Sequence, residues 1–138
     1  MEITLVHDAE GDFWTLRYGG TKLQSAGDVV AWRTALWKEL EKIGTRRVDI
    51  VIDMTEFSME PAVAPMYAPI TKKMSDDHAR AVVRYGKLDA KTVKALQIAQ
   101  AKIGYPIKVE PDREAALKAL EAIRSTRSRG SRPSIPDR

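Results

Sequence analysis

Hydrophobic and polar positions fall into two rhythms along the chain, alternation over short runs and recurrence every three or four residues over longer ones. Ile3 to His7 and Phe13 to Tyr18 are β-prone runs joined by Asp8-Ala9-Glu10-Gly11-Asp12, a glycine-containing connection suited to a hairpin, so the chain is predicted to open antiparallel. In the second run Trp14, Leu16 and Tyr18 alternate with Phe13, Thr15 and Arg17, and one of those faces must be core. Beyond Gly19-Gly20, Ser25 or Asp28 can cap a helix in which Val29, Trp32, Leu36, Leu40 and Ile43 share a stripe, and Gly44 ends it. Trp32 lies on that stripe, whereas Trp37 is turned about 100° from Leu36 and falls at the margin. Val48 to Ile52 is apolar on both sides of the pleat except at Asp49, the pattern of a central strand covered on both faces.

After Met59 the pattern is harder. Pro61, Pro65 and Pro69 fall four apart, and a helix through all three would lose backbone hydrogen bonds at Pro65 and Pro69. An irregular start is expected, with regular helix only from about Pro69 to Met74 and Asp76-Asp77-His78 closing it. Ala79 to Tyr85 holds a strand around Val82-Val83, and Asp89 caps a helix carrying Val93, Leu96, Ala99 and Ile103, stopped by Gly104. Tyr105 to Glu110 reads as a last strand, and Ala116, Leu117, Leu120 and Ile123 as the inward face of a final helix. The order β-β-α-β-α-β-α-β-α predicts a single α/β domain over 1–123 with a mixed, mostly parallel sheet.

The length of 138 residues fits one domain, and 43% hydrophobic with 30% charged residues is ordinary for a globular chain. With no cysteine, disulfides, thiolate chemistry and Cys-based metal sites are excluded. The cysteine-free composition, an acidic Glu2 where a signal peptide would be basic, and the lack of a long apolar run lead to the expectation of a cytoplasmic protein. The formal charge of +4 suggests a polyanion binder until the charges are placed. Five arginines, Arg124, Arg127, Arg129, Arg132 and Arg138, stand against Asp137 alone in the last fifteen residues, and the rest of the chain is balanced at zero. Residues 124–138, rich in Ser, Arg and Pro, are therefore expected to form a disordered basic tail, through which alone any membrane or nucleic-acid contact would be made.

The element order and several phrases resemble the STAS family of anti-sigma-factor antagonists and its SpoIIAA-like and Sec14-like relatives. The resemblance lies in Val48-Asp49-Ile50-Val51-Ile52-Asp53-Met54-Thr55-Glu56-Phe57-Ser58, in Ala79 to Gly86, in the helix from Asp89, and in the stretch from Ile107 to Leu117. It implies a module that docks on another protein, such as a kinase-like or polarity regulator in bacterial signalling, through the loop and helix after the central strand. Regulated members carry a phosphorylatable serine in an Asp-Ser-Ser-Gly turn there, where a helix N-terminus receives the phosphate. Here that place falls near Pro61-Ala62-Val63-Ala64, which has no hydroxyl. Thr55 and Ser58 just upstream are the candidate phosphoacceptors, set against the plainer role of capping the next turn.

Residue chemistry points to the same segment. Met54, Phe57, Met59, Val63, Met66 and Tyr67 gather pliable apolar side chains beside the prolines, so Thr55, Phe57, Ser58, Met59, Val63, Met66 and Tyr67 are the expected partner-binding residues. The same side chains could instead wall a small apolar ligand or lipid. Enzyme chemistry finds little support. Ser58, His78 and Asp53 can be drawn as a triad, but no nucleophile elbow accompanies them. Asp76-Asp77-His78 reads as a solvated helix end and not a metal site, and no nucleotide fingerprint occurs, so no cofactor is expected. Self-association through an uncovered hairpin edge is a further expectation.

Overall fold

The computed structural model describes residues 1–131. Its main sheet has four strands in the order β1 (Glu2–Asp8), β2 (Phe13–Gly19), β4 (Val48–Asp53) and β6 (Ala79–Tyr85). β1 is antiparallel to β2, and β2, β4 and β6 are parallel, giving the expected α/β domain with a mixed sheet. Two three-residue strands, β3 (Thr21–Leu23) and β5 (Phe57–Met59), pair in parallel as a separate ribbon. Runs so short leave no periodicity to read, and neither is predicted by the pattern.

Helices α1 (Ala26–Leu40), α2 (Ala64–His78) and α3 (Ala90–Ile103) belong to the larger core, with Leu5, Leu16, Tyr18, Ile50 and Ile52 contributed by the sheet. α4 (Arg113–Ser131) covers the other face, where Ala116 and Leu120 meet Phe13, Val51, Ala81, Val83 and Tyr85. The central-strand reading of β4 holds because Ile50 and Ile52 join one core and Val51 the other. Caps fall where the sequence places them: Ser25 accepts the N–H of Asp28, Asp89 accepts that of Thr92, and Gly104 takes a left-handed φ of 82° after α3. Trp32 is buried and Trp37 is half-buried, edge-on to His78.

Four expectations are corrected. The proline segment is not irregular: a single 3-10 turn at Pro61–Val63 leads into a regular α2 with Pro69 inside it. Pro65 lies where a helix needs no N–H, and a spacing of four puts Pro65 and Pro69 on one exposed face, where water can satisfy the carbonyl that Pro69 leaves unpaired. The last predicted strand is reduced to one bridge between Tyr85 and Glu110, because Pro106 has no N–H to give and the Ile107 N–H goes instead to Gln100 Oε1 at 2.8 Å. On α3 the buried stripe is Thr92, Ala95, Leu96 and Ala99, leaving Val93 exposed. Finally, the domain does not stop at residue 123: α4 continues to Ser131, so residues 124–131 are helix and not disordered tail.

Candidate functional site

α4 packs over β4, β6 and the start of β2, and among the described residues no helix covers the rest of the β1–β2 hairpin on that side. The exposed half-face bears Thr4, Val6, Thr15 and Arg17, and Val6 is 62% exposed. Tyr85 and Arg113, the first residue of α4, border it, forming a recess of about 540 Å³. Arg17 joins it to a second recess of about 310 Å³ at the carboxyl ends of β2 and β4, lined by Glu2, Gly19, Asp53, Thr55 and Glu56. Carboxyl ends of parallel strands are where open α/β sheets most often receive ligands.

Asp53 organises this end. Its Oδ1 accepts the Thr55 N–H at 2.9 Å and the Thr55 hydroxyl at 2.5 Å, and its Oδ2 accepts Arg17 Nε at 3.2 Å. Burial pushes the carboxyl up, but hydrogen bonds from Thr55 and Tyr85 and the charge of Arg17 outweigh it and hold Asp53 below the usual carboxylate range. Tyr85 moves the other way, raised by burial and by the Asp53 charge beside it. The backbone that follows is set by Gly86. At φ 146°, it lies so close to Met54-Thr55 that a Cβ there would sit 2.9 Å from the Met54 carbonyl carbon. Thr55 is thereby presented as an exposed hydroxyl whose proton already points at a carboxylate.

The sequence-predicted docking residues separate into two groups. Phe57, Met59, Val63 and Tyr67 are core, as is Met54, so they are not offered to a partner. Tyr67 stacks on Trp32 with ring centroids 5.0 Å apart, and Phe57 lies 5.6 Å from Tyr18 and 5.9 Å from Tyr67. Once α2 forms, its stripe of Ala64, Tyr67, Ala68, Thr71 and Met74 has to face inward. Only Thr55 and Met66, the latter 39% exposed, face solvent fully, with Ser58 half-buried. Ser58 lines a different recess, with Lys22, Glu60 and Lys91, from the one that Thr55 lines.

The enzyme-like groupings are not brought together. Asp53 ends β4 whereas His78 adjoins the start of β6, opposite the first residue of β4, so about 16 Å of strand separates them. Asp76 and Asp77 pair with Lys72 and Lys73 at 2.7 and 2.8 Å. Among the described residues no three His, Asp or Glu side chains are placed to hold a metal ion.

Of the basic-tail residues, Arg124 and Arg127 are bound to Asp49 of β4, Arg129 lies in α4, and Arg132 lies outside the described residues. Asp49 is legible as the one polar position in a central strand; its partners are hidden because a Ser/Arg composition reads as solvated. Arg17 and Arg113 were passed over because nothing in the pattern says which sheet face a later helix leaves open. Arg84 was missed too. It is 5% exposed among Tyr18, Tyr67 and Thr71, with Nη2 3.4 Å from Thr71 Oγ1.

No protein-family model matches the chain, and no curated protein matches it. No helix among the described residues is long and apolar enough to cross a membrane.

Proposed function

We propose that this chain is a non-catalytic, STAS-like module of bacterial cytoplasmic signalling that binds another protein through the uncovered β1–β2 half-face and the adjoining turn at Thr55. The observation that carries this reading is the sheet face itself: an exposed Val6 flanked by Thr4, Thr15, Arg17 and Arg113, an apolar point with a polar, cationic rim. Of the residues first expected to dock, Phe57, Met59, Val63 and Tyr67 are core, which favours recognition on the opposite side of the sheet, with Thr55 at its border.

Thr55 is the hydroxyl at which phosphate would regulate docking. A phosphate there would set two negative charges beside Asp53 and compete for Arg17 at the rim. The protein-binding reading is favoured over a small apolar ligand because Phe57, Met59 and Tyr67, the side chains that would wall one, are packed into the core.

Affinity capture from a bacterial lysate tests this with the intact chain, a Val6→Asp/Arg17→Glu variant and a Met66→Asp control. The expected result is a partner kept by the control and lost by the double variant. Capture unaffected by the double variant, or a lipid that co-purifies with the intact chain and is lost from the double variant, would overturn it.

A further inference from the structure

The opposite end of the sheet carries a second constellation. Val48 pairs with Ala79 and Asp49 with Ala81, so Arg80 is an extra residue in β6, a bulge of the kind that re-aims a side chain. It brings Arg80 into a cleft of about 420 Å³ whose other lining residues are Asp12, Asp49, Arg124, Arg127 and Ser128.

The charges in this cleft do not balance. Asp49, with its side chain 4% exposed, accepts Arg124 Nε at 2.8 Å and both terminal nitrogens of Arg127 at 3.1 and 3.2 Å. One carboxylate therefore serves two guanidinium groups. The remaining nitrogens of Arg124 are committed to the carbonyls of Gly11 and Asp12. The Asp12 carboxylate is 87% exposed and lies 3.5 Å from His7 Nε2. Arg80 has no ion pair or side-chain hydrogen bond among the described residues, and Arg127 uses only its two terminal nitrogens. Three cations thus face two acids, one of them fully engaged.

We infer that this cleft binds a phosphate group, gripped between Arg80 and the outer edge of Arg127, with Ser128 at the rim. Planar guanidinium forks match phosphate oxygens in pairs, and a dianion answers the cationic excess that Asp49 leaves. A cleft lined wholly by charged and hydroxyl side chains offers nothing to an apolar ligand. The phosphate can belong to a small soluble monoester or to a lipid headgroup.

The test is an amide chemical-shift titration of the full chain with inorganic phosphate at ionic strength held constant with sodium chloride. Saturable shifts centred on Arg80, Arg127 and Ser128 are expected, weakened at least tenfold by Arg80→Gln with thermal unfolding unchanged. Glycerol phosphate and phosphatidic acid vesicles, against plain phosphatidylcholine, then separate the sources. Binding of glycerol phosphate alone identifies a soluble ligand, and vesicle binding that free phosphate displaces identifies a headgroup. Non-saturating shifts reproduced by chloride, or an Arg80→Gln variant that binds as well as the parent, would overturn the site.

Discussion

Glu39, in the last turn of α1, accepts the backbone N–H of Leu5 at 2.9 Å, in the middle of the strand that ends the sheet. Lys42 completes the arrangement, 2.7 Å from Glu39 and 3.4 Å from the Leu5 carbonyl. The β1 edge is thus occupied at its centre by a side-chain pair standing where another strand would bond, a guard against edge-to-edge association. Glu39→Ala is expected to cost about 1–2 kcal/mol for the charged hydrogen bond. It is also expected to make light scattering rise more steeply with concentration than it does for the parent. Equal scattering from parent and variant would show that the edge is guarded elsewhere.

Asp49 is the carboxylate with which both Arg124 and Arg127 of α4 pair, and neutralising it leaves two partly buried guanidinium groups without that counter-charge. Asp49→Asn should destabilise the fold by about 3 kcal/mol, read from the urea midpoint. Asp49→Glu, which keeps the charge, should recover part of that loss.

The pH dependence follows from the same groups. Burial raises the Asp49 carboxyl, but the hydrogen bonds and charges of Arg127 and Arg124 more than reverse this, and Asp53 is likewise held low. Carboxyls lower in the folded than in the unfolded chain contribute stability that is complete above the unfolded value of about 3.9 and is lost as pH falls through the folded one. Unfolding midpoints should therefore fall steeply below about pH 4, and the slope should be shallower in Asp49→Asn.

Gly86→Ala tests the crossing of two backbones. A Cβ 2.9 Å from the Met54 carbonyl carbon at φ 146° has neither room nor a favoured conformation. A loss of at least about 2 kcal/mol is expected, with the largest amide shift changes at Met54 and Thr55. Gly44→Ala, at φ 76° with nothing within 4 Å, should lose about 1–2 kcal/mol from backbone strain alone, without a clash.

Met59 and Met66 look alike in the sequence and differ in the fold, one 2% and the other 39% exposed. Met59→Asp should unfold the chain at 37 °C, whereas Met66→Asp should stay within about 0.5 kcal/mol of the parent. Circular dichroism melts would distinguish them before any binding experiment is interpreted.

The four strands of the main sheet, the caps and the α/β order were legible because each rests on local chemistry: alternation around Leu16, capping by Ser25 and Asp89, chain reversal at Gly11 and Gly104. β3, β5 and the loss of the 105–110 strand were not, since they depend on pairing partners. The proline segment was misread for a physical reason. Counting lost hydrogen bonds at Pro65 and Pro69 ignores where those positions point, and a spacing of four turns them toward water. Much of the predicted docking surface fell with it, since a formed α2 sends Tyr67 and Met74 inward. Thr55 was visible as a candidate phosphoacceptor, but its bond to Asp53 was not, and the roles of Arg17, Arg80 and Arg127 come only from tertiary placement. The bulge at Arg80 leaves no mark in the local pattern.

One guanidinium ties the first hairpin to the last helix. Arg124 holds the carbonyl oxygen of Gly11 at 2.8 Å across 113 positions of sequence. A link across so long a stretch of chain closes late, and late closure slows folding. During synthesis the first hairpin emerges long before the residue that fastens its turn, and waits with that turn unclasped until α4 has been made.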